Sequence, residues 1–372
     1  MSETVPDLLY SEVEEELRAS VRALLSDKSP ASAVLARVET GQVTDLALWK
    51  DLADLGCAAL PVPEELGGAG AGLREAAVVA EELGRAVAPV PFLGSAVLAT
   101  AALLAAGEPA AAPLSALVSG EATATVAVPL GTWPDAVFPA TVRESAGALT
   151  GTVAGVADAL TADLLVVPAV GADGPGLYLV DAAAAVRSPV MSLDLTRPLA
   201  DIALDSVPAR LLASGGRAAD ALRSALVTGA ALLAAEQLGV AEWALHTTVD
   251  YLKTRHQFGR PVGSFQALKH RLADLWVAVS QARAVVRNAV GAAEGGGPEA
   301  ELGAALAQAF VSGVAVRATE EAVQLHGGIG FTWEHPAHLY LKRAKSDAIA
   351  LGTADRHRLA LARLAGLPVA AV

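Results

Sequence analysis

Apolar positions recur at intervals of three and four from Leu8 to Leu25, interleaved with Glu and Arg, which predicts an amphipathic helix. Leu46 to Leu55 continues in that style and stops at Gly56, a suitable C-cap. Arg74 to Gly84 and Leu93 to Ala106 read as further helices, after a loop punctuated from Pro61 to Gly70. The glycines of that loop miss the G-x-G-x-x-G spacing and no strand precedes them, so it is not a dinucleotide fingerprint. From Ala122 the period changes. Thr123–Val128, Ala148–Val153, Asp163–Pro168 and Gly176–Val180 are short β-rich runs between Gly, Pro and Asp, and Ile202–Val207 reads as the last strand. After Pro208 the helical period returns in Ala218–Thr254, Phe265–Ala293, Glu299–Gln324 and a fourth segment within Leu339–Leu364. The pattern predicts a mainly α protein with a small central β domain: a helical domain over 1–118, an antiparallel barrel or sandwich over 119–208, and a four-helix bundle over 209–372.

Composition adds to this picture. Across 372 residues, 53% are hydrophobic but only 4% aromatic, so Ala, Leu and Val must fill the interior and helices can approach closely. The net charge of −13 argues against nucleic acid or an anionic membrane surface as the main partner. A single cysteine, Cys57, excludes an internal disulfide framework and fits a reducing compartment as a small core residue. The acidic start lacks a basic segment followed by an apolar core, and Ala96–Gly107 is too short to span a bilayer. The expected location is the cytoplasm.

The densest chemistry lies between Tyr251 and Asp274. Phe258-Gly259-Arg260-Pro261 interrupts a helical period that resumes at Phe265, and this turn carries Arg255, Gln257, Arg260 and Gln266. Guanidinium and amide groups held together suit bidentate contact with phosphates and purine edges, although the same residues would serve as a solvated helix corner.

The whole arrangement resembles the acyl-CoA dehydrogenases, nearly end to end. The resemblance rests on Arg255-His256-Gln257-Phe258-Gly259, on Phe265-Gln266 with Lys269-His270, and on Gln324-Leu325-His326-Gly327-Gly328-Ile329-Gly330-Phe331. Leu48-Trp49 through Gly56, Val62–Gly68 and Glu81-Glu82-Leu83-Gly84-Arg85 are similar to the family's N-terminal signatures. It implies FAD-dependent α,β-dehydrogenation of acyl-CoA thioesters, in which a carboxylate takes the α proton as hydride leaves the β carbon. It also implies tetramers with FAD shared between subunits. Arg255, Gln257, Phe258, Gln266, Gln324, Gly327 and Gly328 would reach a neighbour's FAD, Arg255 at the pyrophosphate, and Thr353 would belong to the cofactor site.

The departures from the family are in the chain's own flavin site. The two β-domain segments that should face the flavin ring read Val126–Pro134 and Gly151–Ala157, and neither matches the family pattern. Leu351 stands where the resemblance puts the catalytic carboxylate, Gly229 stands at the alternative position on the first bundle helix, and Asp355 falls near the expected FAD phosphates. Glu236 is the remaining candidate base, though a buried or interfacial carboxylate paired with an Arg is the expected role. Asp347 is expected to be a solvated partner of Lys345 or Arg343. His335 and His338 lack the carboxylates of a metal cluster, so no metal is expected. The expectation is a non-catalytic subunit that completes the FAD site of a homologous catalytic chain in an α2β2 tetramer, with acyl-CoA as substrate and an electron-transfer flavoprotein as acceptor. A bulky substrate such as a steroid side chain or branched acyl thioester would suit a mixed tetramer. The alternatives are a homotetramer using Glu236 and a flavin-free scaffold.

Overall fold

The computed structural model describes residues 7–367. The chain begins with α1 (Glu12–Lys28), whose first turn is closed by a capping box: Ser11 Oγ accepts from Glu14 N, and a Glu14 carboxylate oxygen accepts from Ser11 N at 2.6 Å. Then come α2 (Ala31–Val38), α3 (Leu46–Asp54) and α4 (Leu73–Ala86). The segment read as one helix from Leu93 is a π-helix over Phe92–Ala99 that runs into α5 (Thr100–Ala106), and α6 (Ala111–Val118) follows. The short helices α2 and α6 have too few turns to show a period in the sequence.

The β region differs from the expected antiparallel barrel or sandwich. It is a mixed sheet of β1 (Ala124–Val126), β2 (Val142–Ser145), β3 (Ala148–Ala157), β4 (Leu164–Gly171), β5 (Gly174–Asp181), β6 (Val186–Val190), β7 (Leu199–Pro208) and β8 (Arg210–Ser214). The order is β6-β7-β3-β2-β4-β5-β8, and both β1 and β2 run parallel to β4. A buried run from Leu165 to Ala169 is the mark of β4 as a central strand covered on both faces. β7 alternates instead, with Ala200, Ile202 and Leu204 inward and Asp201, Ala203 and Asp205 outward. β8, past the expected last strand, pairs with β5 and leads directly into the bundle.

The bundle is α7 (Gly215–Thr254), α8 (Gln266–Gly295) and α9 (Gly297–His326), with two helices, α10 (Ala337–Asp347) and α11 (Ala354–Leu364), where one was expected. A small hairpin, β9 (His256–Gln257) with β10 (Arg260–Pro261), joins α7 to α8. Glycine lets α4 and α7 touch backbone to backbone. A Cβ on Gly239 would lie 1.9 Å from Glu81 O, and one on Gly84 would lie 2.1 Å from Glu236 O. α7 and α9 are long and apolar enough to cross a membrane, but the apolar windows are 89% and 61% buried within the fold, as bundle-core helices require. Cys57 lies in this core, and burial pushes its thiol up to about 12.

Candidate functional site

The structure brings the C-terminus of α7, the β9–β10 hairpin, the N-terminus of α8 and the C-terminus of α9 to one end of the bundle. The rings of Tyr251 and His326 stack at 4.4 Å and couple the two C-termini. Val262 N donates to Arg255 O at 2.7 Å, and Gly263 packs so closely on the last turn of α7 that a Cβ would lie 2.9 Å from Leu252 O. Arg255, Gln257, Phe258, Gln266, Gln324, Gly327 and Gly328 are all exposed on this end. Phe258 and Gly259 both have positive φ, at 53° and 76°, as a two-residue hairpin turn of the primed type demands. Phe258 is thus strained and 89% exposed, an aromatic ring held outward at a cost in backbone energy. The first turn of α8 has no side-chain cap; Leu268 N and Lys269 N donate to Phe265 O at 3.2 Å, which leaves the amides of Gln266 and Ala267 as the donors that turn offers.

The would-be proton-transfer position is built differently. Leu351 is buried with φ 53°, and its N–H donates to Leu130 O at 2.7 Å. Leu130 N in turn donates to Gly155 O at 3.0 Å, at an irregularity between Val153 and Val156 in the β3–β7 pairing. The three segments expected around a flavin ring therefore bond to one another. Gly352 closes on the same loop: a Cβ there would lie 2.7 Å from Trp133 Cβ and 2.9 Å from His357 Nε2. The second base position faces the first, for a Cβ on Gly229 would lie 2.5 Å from Leu98 Cδ2 and 3.0 Å from Leu351 Cδ1. The side chains of Leu98 and Leu351 occupy the space that a carboxylate on Gly229 would need. Thr353, expected at the cofactor, is exposed and caps α11, accepting from Arg356 N, while Asp355 pairs with Arg358 at 2.6 Å.

Glu236 sits in a buried network and is not poised as a base. Arg197 donates to both of its oxygens at 2.6 and 2.7 Å, and Arg343 donates to it as well. Arg343 also reaches Asp194 at 2.5 Å, and Arg197 pairs with Asp347. Burial opposes ionisation of Glu236, but Arg197 and Arg343 outweigh it and hold its carboxyl below the ordinary range. Asp347 is fully buried, which corrects its expected place as a solvated partner of Lys345 or Arg343; Lys345 pairs with Glu320 instead. Burial, with the charges of Glu236 and Asp194 adding to it, pushes Asp347 up to about 7 against the pull of Arg197. The network ties the loop before β7 to α7 and α10. His335 lies tilted against His326, ring centres 4.5 Å apart, and accepts from Ala337 N, while His338 lies edge-on to Trp333.

Sequence reasoning missed Leu98, Asp194 and Arg197, and named Arg343 only as a surface partner of Asp347. The Asp194-Leu195-Thr196-Arg197 order offered a signal, since polar residues beside a strand with outward Leu195 invert the usual pattern. Leu98 carried none, being one apolar residue in an apolar run.

Comparison with known proteins agrees with this architecture. Residues 11–121 match the acyl-CoA dehydrogenase N-terminal domain and residues 218–366 the acyl-CoA dehydrogenase C-terminal domain. The chain is 40% identical over 343 residues to acyl-CoA dehydrogenase IpdE2 of Mycolicibacterium smegmatis, covering 92% of this chain and 95% of that one. Similar solved structures include a Tcur3481–Tcur3483 steroid ACAD variant, at TM-score 0.85 and 34% identity over 95% of this chain and 98% of that chain. The ChsE4–ChsE5 complex from Mycobacterium tuberculosis is similar at TM-score 0.87 and 30% identity, over 98% of this chain and 100% of that chain. The chain belongs to the acyl-CoA dehydrogenase family, a family of oxidoreductases.

Proposed function

We propose that this chain is the non-catalytic subunit of a mixed FAD-dependent acyl-CoA dehydrogenase, completing the FAD site of a homologous catalytic chain. The observation that carries the reading is the closed contact of Leu130, Gly155 and Leu351, with Leu98 and Leu351 filling the space before Gly229. A flavin ring does not fit between segments that hydrogen-bond to one another, and the atoms nearest a Cβ on Gly229 belong to Leu98 and Leu351. The exposed end of the bundle does fit the nucleotide end of FAD. Arg255 supplies a fork for the pyrophosphate, the open first turn of α8 adds amide donors, and Gln257, Gln266 and Gln324 add side-chain amides. Gly327 and Gly328 leave room for backbone approach, and Phe258 offers an apolar face.

Bound there, FAD would supply the hydride-accepting chemistry for the β carbon of an acyl-CoA thioester, and the catalytic chain would supply the base for the α proton. This chain grips and orients the cofactor from one side, keeps water from that side, and moves no proton. Electrons leave to an electron-transfer flavoprotein. The likeness to the Tcur3481–Tcur3483 steroid ACAD variant and to the ChsE4–ChsE5 complex supports a mixed assembly and a bulky polycyclic acyl thioester as substrate.

The test is expression alone and together with a homologous chain that carries the catalytic carboxylate. The isolated chain should be colourless and inactive, and the co-expressed complex yellow and active. A yellow homotetramer that dehydrogenates acyl-CoA unaided would overturn the reading.

A further inference from the structure

We propose that this chain binds a small aromatic carboxylate in a hollow where α1 and α4 end and α2 begins, a site that shares no lining residue with the cofactor or proton-transfer positions. The cavity there is about 200 Å3. That is below the range of about 300–1,000 Å3 typical of pockets for drug-sized ligands, so a fragment fits and neither an acyl-CoA thioester nor a polycyclic body does.

The hollow arises because two helices stop at its edge. Ser29 N donates to Leu25 O at 2.9 Å and closes α1, and Pro30 turns the chain into α2. The last turn of α4 is fixed from the other side, for Tyr340 Oη donates to Arg85 O at 2.8 Å. The same Tyr340 stacks on Trp243, ring centres 3.3 Å apart and planes within 2°, and both rings line the cavity. Leu25, Ala31 and Ala86 complete its apolar part.

The polar groups that line it are donors left without acceptors. The lining holds one acidic side chain, Glu82, and both of its oxygens are taken by Arg22, at 2.5 and 2.8 Å. Arg85, by contrast, makes no side-chain hydrogen bond or ion pair with the described residues. Ser29 is only 5% exposed, and its hydroxyl has no partner among the described residues. At the start of α2 no side chain caps the helix, and Pro30 O accepts from Ala33 N and Val34 N at 2.8 and 3.2 Å, which leaves the amides of Ala31 and Ser32 as donors. A guanidinium, a buried hydroxyl and a helix N-terminus together call for an anionic acceptor. Two carbonyls at the helix ends that would oppose an anion are already engaged, Leu25 O by Ser29 N and Arg85 O by Tyr340. The stacked Trp243 and Tyr340 rings decide the rest of the ligand, since an aromatic wall favours an aromatic body.

The experiment is isothermal titration calorimetry of the full isolated chain, which needs neither flavin nor a partner subunit. The titrants are benzoate, benzamide (the ring without the charge) and acetate (the charge without the ring). Benzoate should bind saturably with a Kd of about 0.1–1 mM, and benzamide and acetate each at least about tenfold more weakly. Arg85→Gln should weaken benzoate binding by about tenfold or more. Ala31→Trp, which fills the cavity from its half-buried edge, makes the same test should Arg85→Gln fail to fold. Absence of saturable benzoate binding, benzamide or acetate binding as tightly as benzoate, or unchanged affinity in a folded variant would each overturn the proposal.

Discussion

Glu236 is the residue on which the subunit reading and the self-sufficient reading give opposite expectations. Consider Glu236→Gln. The change removes one negative charge from a buried group in which Arg197 and Arg343 face Glu236, Asp194 and Asp347. Breaking a buried ion pair on one side costs about 3–5 kcal/mol, because the opposite charge is left uncompensated. Here the loss is partly offset. Asp347, pushed up to about 7 by burial and by the neighbouring Glu236 charge, ionises more readily once that charge is gone. The offset is worth about 1 kcal/mol per unit that its pKa falls below the working pH, leaving a net loss of about 2–4 kcal/mol.

With an unfolding entropy of about 2.1 cal/mol/K per residue, 372 residues give about 0.8 kcal/mol/K, so Tm should fall by about 3–5 °C. The assay pairs differential scanning fluorimetry of the isolated chain with turnover of the reconstituted complex well below its Tm. Stability should drop and turnover per bound flavin should persist. A variant that melts at the parental temperature yet supports no turnover would refute the reasoning and make Glu236 the base.

Three further outcomes are expected. Arg255→Ala should leave the Tm of the isolated chain unchanged, since the residue is exposed, and should loosen FAD in the complex about 10- to 100-fold, read from flavin absorbance after gel filtration. Leu351→Glu should destabilise by about 3 kcal/mol, because the carboxylate enters a space lined by Leu98 and Gly229, and the isolated variant should still be colourless and inactive; flavin binding with turnover would contradict the closed site. Burial raises Glu81 and Asp347 to about 7 and Asp158 to about 6, so all three stay protonated in the fold at pH values where the unfolded chain has released them. The stability they contribute is full below the ordinary carboxylate range and is lost as pH rises through about 6 to 7, so Tm should fall between about pH 5 and pH 7.5, and Glu81→Gln should flatten that slope.

The division into helices, strands and bundle was legible because long periodic segments state their type, as in α7 and α9. The sheet's mixed direction was not. β1 and β2 have three and four residues, too short for their pattern to say which way they pair. The split of the last bundle segment was hidden too, because Ala348 to Thr353 is apolar enough to continue the helical period. At the site, the exposed strip from Arg255 to Gln266 could be read because its residues are neighbours in sequence. The Arg197–Glu236–Arg343–Asp347 network could not, since its members come from separated elements and single charges in a sequence do not name their partners.

The two base positions carry a joint argument that neither carries alone. In the sequence, Leu351 and Gly229 are two separate absences, and each leaves open the other as a route for the carboxylate. In the fold they face each other across a few ångströms, with Leu98 between, so a carboxylate on one would press on the leucines that occupy the place of both. On the proposed reading, one substitution does not restore a base, because Leu98 and the hydrogen bond from Leu351 N to Leu130 O stay in place. At the other end of the bundle the balance runs the opposite way: Phe258 is held in a strained turn and 89% exposed, its ring edge-on to Phe265. A closed interior site together with a strained outward ring is what the proposed subunit role calls for, whereas a bare scaffold would have no use for the second feature.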